Sequence, residues 1–104
     1  MDIIKRAGYK LSALDIERIL LEHKKIAECS VVGIDDSKLG QKIVAIVVPK
    51  SSNDVADLSI DSIRQYAKQY LPHYSLPDSI TIREQIPRNA MGKVNKKELA
   101  RLIV

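Results

Sequence analysis

Near the end of this 104-residue chain, the stretch IPRNAMGKVNKKEL, residues 86–99, sets Gly92-Lys93 in a loop just ahead of a helix-forming run. A lysine placed there offers three kinds of chemistry. It can bind nucleotide phosphate in a Walker loop, contribute to a nucleic-acid surface, or stand in water as a solvated charge. The Walker reading fails on spacing. That motif needs a glycine five residues before Gly92 and Ser or Thr after the lysine, where this chain has Pro87 and Val94. The nucleic-acid reading has charge behind it, since Arg83, Arg88, Lys93, Lys96, Lys97 and Arg101 face only Glu84 and Glu98 in that portion. It lacks a helix-turn-helix or RNA-binding signature. A second set of cations, Lys5 and Lys10, flanks Ala7-Gly8 in IIKRAGYK. Local chemistry by itself favours solvated side chains for all of these.

Other reactive groups are few. The single cysteine, Cys29, excludes an internal disulfide and lies in ECSVVG, which reads as a buried strand with the thiol as a small apolar filler. It and the two histidines are too widely spaced for a metal site. Tyr is the only aromatic type, so a base-stacking platform for RNA is not expected. No apolar run approaches the ~20 residues of a membrane-spanning helix, and no signal or transit peptide is visible. The composition, 45% hydrophobic and 29% charged, is that of one globular domain with a modest core. A net charge of +4 favours anionic partners in general.

These side chains have to be positioned by the following elements. Two short β-prone runs around Ala7-Gly8 read as a hairpin. SALDIERILLEHKK reads as a helix capped by Ser12, with Ile16, Ile19, Leu20 and His23 on one face. His23 is expected half-buried at its end. IAECSVVGI and KIVAIVVP read as strands separated by the turn-rich DDSKLGQ; the second is nearly continuous in apolar residues, which implies cover on both faces or a central place. KSSNDVAD reads as a polar linker and SIDSIRQYAKQYL as a helix capped by Ser59 and turning Ile60, Ile63, Ala67, Tyr70 and Leu71 toward a core, stopped by Pro72. The tyrosines read as packing residues with wet hydroxyls. SITIREQI reads as a third strand with one exposed face, and NKKELARLIV as a last helix capped by Asn95. The expected fold is α+β: an N-terminal β-hairpin, then a small three-stranded sheet packed with three helices.

Two segments carry a family resemblance. IKRAGYKLSALDIE fits the pattern I-K-x-x-G-[YFH]-x-[IVL]-x-x-x-[ED]-[IV]-E, and PRNAMGKV fits P-x-x-x-x-G-K-[IV]. ECSVVGIDDSKLGQKIVAIVV matches the strand-loop-strand between them. The chain thereby resembles, over essentially its whole length, the C-terminal subdomain of the adenylate-forming enzymes: acyl-CoA synthetases, luciferase and the adenylation domains of peptide synthetases. PRNAMGKV and GYKLSALDIE look most like malonyl-CoA synthetases.

The resemblance implies a single C-terminal lid subdomain, residues 1–104, of an AMP-forming acid–thiol ligase, with the N-terminal ATP-binding domain absent and Met1 a start added at a domain boundary. It implies catalysis in two half-reactions, acyl-adenylate formation and then thioester formation, with ATP and CoA as substrates. Mg2+ is expected in the N-terminal domain, and no cofactor on this domain alone. Lys93 would serve the adenylation half-reaction, with Gly92 permitting close approach of the loop. Lys5 would serve the second half-reaction, and Ala7, Gly8 and Tyr9 would line the pantetheine channel. Lys10 would lie near substrate and Arg88 near CoA phosphates. The expected partner is the enzyme's own N-terminal domain, with no nucleic acid and no membrane span. The isolated domain is expected to be inactive. A malonyl-CoA synthetase-like enzyme implies an intracellular setting, cytoplasmic or mitochondrial. The competing reading is a small basic binding module for an anionic partner with no catalytic role.

Overall fold

The structure is a computed structural model that describes residues 2–103. Its centre is a long antiparallel pair, β3 (Ile26–Asp36) and β4 (Gly40–Pro49). Their turn is tighter than the turn-rich sequence suggests, because the Asp36 carboxylate accepts from the Lys38 and Leu39 amides at 3.0 and 2.8 Å and lets both strands run on to it. Residues Ile43, Val44, Ala45, Ile46, Val47 and Val48 of β4 are all buried. Alternate side chains point to opposite faces, so such a run survives in water only if both faces are covered.

They are. On one face Val31, Ile43, Ala45 and Val47 pack with Ile16 and Leu20 of α1 (Ala13–Leu21) and Ile63 and Ala67 of α2 (Ile60–Ala67). On the other, Val32, Val44, Ile46 and Val48 pack with Ile86 and with Leu99 of α3 (Lys96–Ile103). The expected double cover and central place are both found. β5 (Ser79–Ile82) joins β4 in parallel, Val44 opposite Ser79 through Val47 opposite Ile82. Its crossover carries a 3-10 turn at Ser52–Asp57, where a plain linker was expected, and then α2.

Each helix starts where its cap predicts. The Ser12 and Ser59 hydroxyls accept from the Asp15 and Ser62 amides, and the Asn95 side chain accepts from Glu98 N–H. α2 ends at Ala67, earlier than its apolar spacing suggests, so Tyr70 leaves the core and is 56% exposed. Tyr66 stays in place by donating its hydroxyl to Ile19 O at 2.9 Å, a protein partner where a wet hydroxyl was expected. His23 is half-buried, as expected, and its Nδ1 accepts from Lys25 N–H. Burial, with Lys25 and Lys24 nearby, holds its pKa below the usual value. Cys29 is buried, and burial, helped by Glu17, pushes its thiol up to about 12.

The hairpin is β1 (Ile3–Arg6) and β2 (Tyr9–Ser12). Ala7 and Gly8 both have positive φ, 50° and 87°, as the two-residue turn of a right-twisted hairpin requires. The hairpin is not separate from the three-stranded unit. Among the described residues a single bridge, Arg6 opposite Gly40, makes one five-stranded sheet in which β1 abuts the start of β4. Beyond the bridge, Arg6 forms a bidentate pair with Asp78 at 2.9 and 2.7 Å, and Asp78 also accepts from Ile43 N–H at 2.7 Å.

Burial raises the Asp78 pKa, but the bonds from Arg6 and the Ile43 amide, with the charges of Arg6 and Arg64, outweigh it and leave the group below its ordinary value. A depressed carboxylate stabilises the fold above its unfolded pKa, near 4, and that contribution disappears as pH falls through the folded value. Asp78→Ala is expected to cost about 2 kcal/mol near neutral pH, read by urea denaturation. The gap from the parent protein should narrow steadily below about pH 4.

Candidate functional site

The Gly92-Lys93 loop has almost no regular structure, yet it is tightly self-bonded. The Asn89 side-chain carbonyl accepts from Met91 N–H at 2.9 Å and Lys93 N–H at 3.0 Å. Across the same turn, Asn89 N–H donates to Lys93 O and Gly92 N–H to Asn89 O, at 2.8 and 2.9 Å. This tight return puts Gly92 at φ 81°, a conformation that glycine adopts without a Cβ penalty. Nothing lies within 4 Å of where a Cβ would stand there, so it is conformation and not space that calls for glycine. Ile86 before the turn and Val94 after it sink into the α3-side core. Between these moorings Lys93 is exposed and Met91 is 80% exposed.

Arg88 braces the loop against the sheet. One guanidinium nitrogen donates to Gly92 O at 3.0 Å and another to Glu28 of β3 at 3.1 Å. A phosphate at Arg88 would have to compete with Glu28. Lys96, at the start of α3, is also occupied: it donates to Glu17, to Asp2 at 3.1 Å and to Val31 O at 2.9 Å. Glu17 accepts from Val31 N–H at 2.9 Å as well, so this acidic residue ties α1, β3 and α3 together. Carboxylates remote in sequence thus pair two cations of the C-terminal basic run, Arg88 and Lys96. Lys5, Lys10 and Lys93, by contrast, pair with no carboxylate among the described residues.

Lys5 stands exposed on β1 next to buried Ile4, opposite exposed Lys10 of β2. Ala7, Gly8 and Tyr9 are all exposed at the hairpin tip. The Tyr9 ring stacks on Tyr74, centroids 4.0 Å apart and planes 3° from parallel, which orients that side chain. The structure therefore brings Lys5, Lys10, Ala7, Gly8 and Tyr9 onto one hairpin and keeps Lys93, Gly92 and Arg88 on a different loop. The two groups hang from different parts of β4. Arg6 bridges its first residue, Gly40, whereas Glu28, which holds Arg88, lies opposite Val48. Gly40 and Val48 are separated by roughly 26 Å of extended strand.

Sequence reasoning missed Glu28, Glu17 and Asp78. Each meets its partner across 60, 79 or 72 positions, and no local pattern signals that. Among the described residues no cluster of three or more His, Cys, Asp or Glu could hold a metal ion, and no helix is long and apolar enough to cross a membrane.

The family that this fold and sequence define is the AMP-binding enzyme C-terminal domain. Residues 15–93 match that family, and the chain belongs to it. It is similar to the malonate–CoA ligase of Arabidopsis thaliana, 45% identical over 94% of this chain and 17% of the relative. It is similar also to the mitochondrial malonate–CoA ligase of Bos taurus, 42% identical over 97% of this chain and 17% of the relative. Among solved structures, a fatty acyl CoA synthetase of Mycobacterium tuberculosis superposes with a TM-score of 0.88 at 32% identity, over 97% of this chain and 19% of that one. The chain thus spans under a fifth of the length of these relatives.

Asn89→Ala should remove the acceptor shared by two loop amides. Hydrogen exchange at Met91 and Lys93 is expected to accelerate several-fold, with global stability changed by less than about 1 kcal/mol because the site is exposed. Unchanged exchange would show that the loop is held by other contacts.

Proposed function

We propose that this chain is the mobile C-terminal domain of an ATP-dependent, AMP-forming acid–CoA ligase. In the first half-reaction a carboxylate oxygen attacks the α-phosphorus of ATP, forming an acyl-adenylate and releasing pyrophosphate. In the second, a thiol attacks the acyl carbon, forming a thioester and releasing AMP. The observation that carries this reading is the placement of lysines, unpaired among the described residues, on two tips anchored near opposite ends of one buried strand. Two lysines so separated suit sequential service to one active site, each brought in by a different pose of the domain.

In the adenylation pose Lys93 serves as a cation between the carboxylate and the α-phosphate. Two anions must approach with little water between them, and their repulsion rises steeply as the local dielectric falls. A preorganised ammonium offsets charge that develops in the transition state. The Asn89 turn and the Arg88 brace hold the backbone from which Lys93 extends. In the thioester pose the hairpin turns inward. Lys5 reaches the site, Ala7, Gly8 and Tyr9 line the path of the pantetheine arm, and Lys10 lies near the acyl group. The partner is the N-terminal domain of the same enzyme, which would hold ATP and the Mg2+ that screens its phosphates.

Malonate is the first acid to test, because two relatives above 40% identity bear that name. The bovine relative's mitochondrial designation makes mitochondria the first compartment to examine. The pairing of Arg88 and Lys96 with carboxylates weakens the reading of a basic binding module, since it removes two charges from the patch that motivated it.

In the full-length enzyme carrying this domain, Lys93→Ala is expected to lower adenylate formation by about 100-fold or more, measured by pyrophosphate exchange. Consumption of preformed acyl-adenylate with CoA should fall less than about threefold. Lys5→Ala should show the reverse bias, and equal loss in both assays for either variant would overturn the two-pose reading. The 104-residue chain alone, given ATP, malonate and CoA, should release no AMP above background; turnover by it would refute the need for a partner domain.

A further inference from the structure

The hairpin is attached to the sheet by little backbone pairing, and at the Lys5 amide the contact is made by a side chain. β1 and β2 are closed by the pair Arg6–Tyr9 around a two-residue turn. In such a hairpin the closing pair exchanges its hydrogen bonds, and the next pair, Lys5–Lys10, does not. The Lys5 N–H and C=O therefore point away from β2, toward β4. The only β1–β4 bridge among the described residues is Arg6–Gly40. One residue further, the Gln41 side-chain carbonyl accepts from Lys5 N–H at 2.8 Å, in the place of a neighbouring strand.

Two glycines make room for this. A Cβ on Gly40, whose φ is 84°, would stand 3.3 Å from Lys5 O. A Cβ on Gly33 of β3 would stand 3.0 to 3.1 Å from the amide end of Gln41. Gly33 thus leaves the space in which the Gln41 amide lies, and Gly40 lets the Lys5 carbonyl come close. Leu39 O accepts from Ala7 N–H at 2.8 Å and completes the seat.

We infer that Gln41 is a positioning residue for the thioester half-reaction, holding the Lys5 backbone, and so its ammonium, at a fixed height on the sheet. The inference rests on Lys5 serving that half-reaction. The hydrogen bond is exposed to solvent, and water replaces such a bond at little net cost. Its contribution is therefore to geometry more than to stability.

The test uses Gln41→Ala, Gln41→Glu and Gly33→Ala. Gly33→Ala crowds the Gln41 amide, which must shift by a few tenths of an ångström, without altering Gln41 or Lys5, and Gln41→Glu retains an acceptor. In the 104-residue chain, amide exchange at Lys5 should quicken about tenfold in Gln41→Ala and Gly33→Ala and return near the parent value in Gln41→Glu. In the full-length enzyme the same two alanine variants should lower the turnover number for preformed adenylate with CoA about fivefold. The KM for CoA and the rate of adenylate formation should stay within twofold, and Gln41→Glu should restore turnover. Unchanged Lys5 exchange in Gln41→Ala would overturn the clamp itself. Quickened exchange with no loss of thioester turnover, or with equal loss in both half-reactions, would overturn the positioning role. A Lys5→Ala enzyme with no thioester defect would overturn the reading of Lys5 and the positioning role with it, while the exchange result would still stand on its own.

Discussion

The constraint on which the rest depends is that β4 is buried on both faces. Six consecutive apolar residues need α1 and α2 on one side and α3 with Ile86 on the other, so neither face of the central strand is available for a site. The exposed tips lie at the margins of the sheet: the β1–β2 hairpin beside the start of β4, and the 86–95 loop packed along the β3 side. The rigid centre and the exposed tips follow from the same packing.

A second consequence concerns which cations remain available. The chain carries a formal excess of positive charge, but folding distributes it unevenly. Lys96 is drawn between Glu17 and Asp2, Arg6 onto Asp78, and Arg88 onto Glu28. These pairs join elements, and the exposed one at Arg88 acts chiefly by fixing direction, since surface ion pairs contribute little to stability. Among the described residues, Lys5, Lys10 and Lys93 remain unpaired on the two tips. A lysine free of carboxylates keeps its attraction for incoming anions.

The two tips are built by opposite means. The Lys93 loop is braced from within: one asparagine side chain accepts from two backbone amides of its own turn, with Arg88 as the outer strut. The hairpin is braced from without, by Gln41, Leu39, Asp78 and the stacked Tyr74 ring. A self-contained turn can enter a crowded cleft as a unit. The reading of two poses of one rigid body is consistent with that difference.

Local patterns in the chain were enough for every element that depends on neighbours in sequence. The 3.6-residue spacing of Ile16 and Leu20, the caps at Ser12, Ser59 and Asn95, the Ala7-Gly8 turn and the apolar run of β4 all act within a few residues, so the α+β order was legible. Family likeness in the two glycine-bearing motifs added the lysines. Local pattern failed where a short-range rule was overridden or a partner was distant. Tyr70 has helical spacing but lies past the end of α2, the hairpin proved continuous with the main sheet, and the cations at Arg88 and Lys96 proved to be paired. Tertiary structure alone decided which charges are free, which glycine makes room for which side chain, and that Gln41 holds Lys5. The physical reason is that ion pairing, close approach and strand adjacency act through space at a few ångströms, and only the folded chain brings residues 36 to 79 positions apart to that distance.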